Sequence, residues 1–135
     1  MCIRDRKIRA VAKGVRRTKS KFGSRLEPAS IVHAQLYEGR NLDVLTQAEL
    51  VSPLPLLRSD LDLYGRAAII LETVDQVTVD QGANPALYKL TVGALRELNR
   101  GANPLVVPAF VAKMLALEGV QPVVDRCVIL SLIHI

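Results

Sequence analysis

The chain has 135 residues, half of them hydrophobic and 23% charged, with eight glycines and seven prolines. Such a length suits about one domain or two very small ones, and the composition excludes a disordered tail, a collagenous repeat and a disulfide-dense toxin. No apolar run approaches the ~18 residues that a membrane span needs. Two cysteines 125 positions apart make neither a disulfide framework nor a complete metal site. A soluble protein of the cytoplasm, without a membrane partner, is expected.

Charge is unevenly spread. The net charge is +5, yet residues 1–26 hold ten basic residues and one acid, Asp5, while the remaining 109 residues hold eight bases and twelve acids. A basic head on a mildly acidic body points to a polyanion, with nucleic acid the first candidate.

The two ends read as foreign to the rest. Residues 1–6, Met-Cys-Ile-Arg-Asp-Arg, can be encoded by ATG TGT ATA AGA GAC AGN, and residues 130–135, Leu-Ser-Leu-Ile-His-Ile, by CTG TCT CTT ATA CAC ATN. The second string is the reverse complement of the first, and the pair looks like a transposon end used as a sequencing-library adapter. The expectation is an internal piece of a longer protein, spanning about 7–129, with adapter-derived residues on both sides. Cys2 and His134 then leave any argument about a site, while the basic head survives.

In chain order, period-two alternation over 7–13 predicts a strand, with Ile8, Ala10 and Ala12 inward and Lys7, Arg9, Val11 and Lys13 outward. Residues 14–28 lack apolar periodicity and read as a solvated basic loop. Residues 30–38 alternate again, with Val32, Ala34 and Leu36 inward and Ile31, His33, Gln35 and Tyr37 outward. Glu38-Gly39-Arg40-Asn41 is turn chemistry, because Gly and Asn tolerate the positive φ of a tight hairpin. Leu42, Val44, Thr46 and Ala48 then form the inward set of a third strand. Three antiparallel strands with open edges are too little for a core, so a larger barrel is expected to complete them.

Beyond Ser52-Pro53-Leu54-Pro55 the period changes. Leu57, Leu61, Tyr64, Ala68 and Leu71, joined by Ile70, Val74 and Val77, predict one amphipathic helix of roughly 20 residues. Gly-Ala-Asn-Pro occurs at 82–85 and again at 101–104, and Asn before Pro suits an N-cap followed by the first helical residue. The first copy starts a helix carrying Leu87, Leu90, Ala94, Leu95 and Leu98, closed by Gly101. The second starts one carrying Phe110, Met114, Leu115 and Leu117, closed by Gly119, with its regular part beginning only near Pro108.

No catalytic constellation emerges, so a non-enzymatic protein is expected. His33 lies on an outward strand position, and Asp60 and Asp62 are two apart, which points them to different sides of a helix. Neither Lys13-Gly14 nor Lys21-Phe22-Gly23 has the preceding glycines of a phosphate-binding loop. The strongest feature is the segment 13–25, where Lys13, Arg16, Arg17, Lys19, Lys21 and Arg25 stand with no acid among them. Such a segment contacts phosphates, and Arg9 extends it along the strand. Phe22 and Tyr37 are the aromatics placed to stack on bases. If five cations met single-stranded phosphates, log K would fall against log salt with a slope of about −3.5. The alternatives are a protein-interaction module whose basic loop docks an acidic partner tail, and an RNA-binding barrel.

The run 9–28, Arg-Ala-Val-Ala-Lys-Gly-Val-Arg-Arg-Thr-Lys-Ser-Lys-Phe-Gly-Ser-Arg-Leu-Glu-Pro, resembles the bacterial RecO recombination and repair family, above all its actinobacterial branch. So do Gln-Leu-Tyr-Glu-Gly-Arg-Asn-Leu-Asp at 35–43 and, more weakly, Ile-Leu-Glu at 70–72 and Leu-Thr-Val-Gly-Ala-Leu-Arg at 90–96. The resemblance implies an α+β chain: a partial OB-fold barrel over 7–50, a helical domain over 51–119, and the start of a zinc-binding segment over 120–129. It further implies binding of single- and double-stranded DNA, annealing of complementary strands, and work with RecR to load RecA on DNA coated by single-strand DNA-binding protein. Many members carry zinc at a site that opens with Cys-x-x-Cys. Cys127 matches the first of that pair, while the place of the second falls in the adapter-derived residues. Cys127 is therefore expected as a zinc ligand only in a full-length parent, and no cofactor is expected in this fragment.

Overall fold

Alternating apolar residues on either side of Gly39 form a β-hairpin in the computed structural model, which describes residues 6–15, 20, 22–80, 82–101 and 103–124. Strand β2 (Ile31–Tyr37) pairs antiparallel with β3 (Asp43–Ser52). Gly39 is required by close approach and not by a positive φ, since a Cβ there would overlap the Leu42 carbonyl oxygen. The pairing slips twice, between Ile31 and Val32 and between Gln35 and Leu36; at the second, Gln35 faces Gln47 but Leu36 faces Leu45, which leaves Thr46 as the extra residue of a bulge. Its hydroxyl donates to the Gln35 carbonyl at 3.0 Å.

The bulge corrects the expected inward set of β3. Leu45 and Ala48, three apart, are the buried residues, because the extra residue resets the alternation that put Val44 and Thr46 inside. The expectation of three antiparallel strands is also corrected. Strand β1 (Ala10–Val11) pairs parallel with β3 at Asp43 and Val44, giving the order β1-β3-β2. The hairpin folds so that β3, not β2, lies beside β1. The predicted first strand shrinks to two residues because the chain before it turns to the helices, with bridges from Arg6 to Ala83 and from Lys7 to Asp80.

Four helices follow the sheet: α1 (Pro55–Ser59), α2 (Leu61–Val77), α3 (Pro85–Leu98) and α4 (Val106–Leu117). The single long helix expected after Pro55 is broken at Asp60, whose backbone is extended. The Asp60 carboxylate accepts from the Asp62 and Leu63 amides at 2.9 and 3.1 Å, and so caps α2. The break rotates the buried face to Leu63, Ala67 and Ile70, leaving Leu61 and Tyr64 exposed. Replacing Asp60 with Ala removes both bonds, and the urea midpoint is expected to fall by the equivalent of about 1 kcal/mol.

Asn84 behaves as its sequence predicts, capping α3 by accepting from the Leu87 amide at 2.9 Å ahead of Pro85. The second copy of the tetrapeptide differs. Asn103 closes a separate turn by accepting from the Leu105 amide, and α4 begins only at Val106, so Pro108 falls within its first turn. At its end, Val120 N–H reaches the Leu115 carbonyl and Gly119 N–H the Ala116 carbonyl, the paired bonds of a Schellman motif.

Two cores result. The larger lies among the helices, centred on Leu57, Ile70, Leu87, Leu98 and Phe110. The smaller lies under the sheet and consists of Phe22, Leu45 and Ala48, flanked by Ala12, Val15, Leu26 and Leu36. The sheet is tied to the helices at three places. Ala29 and Ile31 pack against the helical core, Arg58 Nη2 donates to Ser30 Oγ at 2.7 Å, and Lys7 reaches the last turn of α2.

Candidate nucleic-acid interface

A basic segment can serve a polyanion only if its cations stay in water while something else holds the backbone in place. Apolar side chains do the holding here. Val15 just after Lys13, and Phe22 and Leu26 on either side of Arg25, pack onto Leu45, Ala48 and Leu36 of the sheet. Gly23 adopts φ +51, which lets the chain turn sharply into a 3-10 turn over Gly23–Leu26 directly after Phe22. Around that turn, Ser20 Oγ accepts from the Phe22 amide at 3.2 Å and the Phe22 carbonyl accepts from the Arg25 amide at 3.1 Å.

Lys13 and Arg25 are exposed at the two ends of the segment. Arg16, Arg17, Lys19 and Lys21, the interior cations, lie outside the described residues, as does Cys127. Arg9 is exposed too, but its Nε sits 2.9 Å from Asp80 Oδ2, toward the helices. Phe22 requires a correction: it is 1% exposed, so its ring is a core element and is not presented to a base. The reason is the apolar cluster that Leu45 and Ala48 form with it, flanked by Ala12, Val15, Leu26 and Leu36. Tyr37, 70% exposed at the end of β2, is the aromatic that remains accessible.

Beside this segment lies an open groove of about 880 Å³ on the hairpin, with Phe22 beneath it and Arg25, His33, Gln35, Thr46, Gln47 and Glu49 among its lining. Its amides and hydroxyl supply hydrogen-bonding groups, but Glu49 offsets Arg25. Among the described residues no group of three or more His, Cys, Asp or Glu is placed to hold a metal ion, and no helix is long and apolar enough to cross a membrane.

Sequence reasoning missed what the helices contribute. Lys7 Nζ lies 2.6 Å from Asp75 Oδ1 and donates to the Asp75 carbonyl at 3.1 Å, at the C-terminal turn of α2 where a cation is favoured. Neither acid stands near Lys7 or Arg9 in the sequence, so local charge counting had no signal for either pair.

Comparison with known proteins agrees with this layout. The family model described as recombination protein O N terminal matches residues 3–54, and that described as recombination protein O C terminal matches residues 58–131. The DNA repair protein RecO of Cutibacterium acnes is 42% identical over 130 residues, covering 90% of this chain and 53% of the relative. That of Frankia casuarinae is 43% identical over 129 residues, covering 92% and 53%. The chain spans about half the length of these curated relatives. With both of its parts matched in order, the sheet by the N-terminal model and the helices by the C-terminal one, the chain belongs to the RecO family.

Proposed function

We propose that this chain is the DNA-contacting part of a recombination and repair mediator of the RecF pathway, and that it works without catalysing a reaction. The observation that carries the reading is the acid-free segment 13–25, in which Val15, Phe22 and Leu26 pack on the sheet while Lys13 and Arg25 are exposed. Lys13, Arg16, Arg17, Lys19, Lys21 and Arg25 neutralise phosphates of single- or double-stranded DNA, and each contact releases condensed counterions. Two complementary strands held on one basic segment repel each other less, and so pair faster. In the full-length parent, annealing and contacts with RecR and with single-strand DNA-binding protein bring RecA onto coated DNA in the bacterial cytoplasm. The names of the relatives, DNA repair protein RecO, support this setting. Zinc enters only through Cys127, one thiol of the four ligands that a structural site needs, so the DNA contacts are derived without it.

Annealing is tested by mixing two complementary fluorescent oligonucleotides with the chain. Pairing is expected to outpace the protein-free rate at about 50 mM salt and to lose that advantage at about 500 mM, because phosphate contacts weaken steeply with salt. No acceleration at low salt would remove annealing from the function.

A further inference from the structure

Two cations near the start of the described chain meet two carboxylates of the helical unit, and the two pairs differ in kind. Lys7 is locked: its side chain is 24% exposed, and it binds both the carboxylate and the backbone carbonyl of Asp75. Arg9 is held loosely. Its side chain is 68% exposed, its partner Asp80 is 46% exposed, and the contact is made by Nε at 2.9 Å. Exposed pairs of this kind contribute little net free energy.

A DNA phosphate competes well for such a guanidinium. Arginine binds phosphate through a two-pronged fork, and neutralising DNA also releases counterions, which an isolated aspartate does not offer. The backbone need not move for the exchange, because the Arg9 carbonyl accepts from the Asp43 amide at 3.3 Å as the chain enters β1. Nor does Asp80 lose every partner, since Lys7 Nζ stands 3.9 Å from its Oδ1 and the backbones of Lys7 and Asp80 are bridged.

We propose that Asp80 is a charge gate on Arg9. It holds the guanidinium while the protein is free and gives it up to a DNA phosphate on binding, so that a residue of the helical unit sets how far DNA uses the basic strand ahead of Lys13. This rests on the DNA-binding reading above.

The test is a double-mutant cycle on the 135-residue chain, with oligo-dT as the probe and wild type, Asp80→Asn, Arg9→Ala and the double variant compared. Glu72→Gln is the control, because it removes one negative charge from α2, where Glu72 accepts from Gln76 at 3.0 Å. Asp80→Asn is expected to tighten binding about three- to fivefold, the scale of one exposed ion pair, and well beyond the control. Arg9→Ala is expected to abolish that gain. A gain that persists in the Arg9→Ala background, or that only equals the control, would overturn the gate while leaving DNA binding in place. Weaker binding by Asp80→Asn together with a lower unfolding temperature would make Asp80 a structural tie and also overturn it. A wild-type chain with no affinity for oligo-dT at any salt would sink the DNA reading and the gate with it.

Discussion

Phe22→Ala is expected to cost about 3–5 kcal/mol, the range for deleting a buried aromatic ring. The loss falls on the smaller core, where Phe22 is the fully buried side chain and Leu45 and Ala48 are its buried neighbours. Amides of β2 and β3 should therefore exchange with deuterium far faster in the variant, while those of α3 keep their protection. DNA affinity falls as well, since the segment 13–25 loses its anchor. Phe22→Leu separates packing from stacking. A leucine fills most of the space and is expected to cost only about 1–2 kcal/mol of stability, with DNA affinity held within about twofold. A ring that stacked on a base would instead lose about 1–3 kcal/mol of binding in that variant, and such a result would return Phe22 to the interface.

The helical half was the more legible from sequence. The Asn84-Pro85 cap and the Leu87, Ala94, Leu95 and Leu98 face of α3 stand where helical spacing and capping chemistry place them. The break before α2 was missed because Leu57 and Leu61 are four apart and continue an apparent helical face. The Asp60 carboxylate, which competes for the next amides, decides the matter. In the sheet, alternation found the hairpin but not the bulge at Thr46: one extra residue shifts the inward parity, so Leu45 and not Val44 is buried before it while Ala48 stays inward after it. The parallel pairing of β1 depends on which strand the hairpin lays beside it, a tertiary choice that no local period records.

The candidate binding residues divide in a similar way. Segregated charge alone marked the segment 13–25, because acid-free basic runs are a property of composition. Burial of Phe22 was hidden, because an aromatic between basic residues carries no neighbouring apolar period, and its site is built by Leu45 and Ala48 more than twenty residues away. The partnership of Arg9 with Asp80 likewise reaches across the hairpin and helices α1 and α2, beyond any window of local reading.

On the proposed reading, the cations between Lys13 and Arg25 lie on DNA phosphates. It is tested most directly by the salt dependence of single-stranded DNA binding for the wild type and for a variant with Arg16, Arg17, Lys19 and Lys21 all changed to Ala. Each lost phosphate contact is expected to make the slope of log K against log salt shallower by about 0.7, or roughly 2.8 for the four, with affinity near physiological salt lower by about a hundredfold. A variant with an unchanged slope would contradict the account, placing the DNA elsewhere and leaving the basic segment to an acidic protein partner.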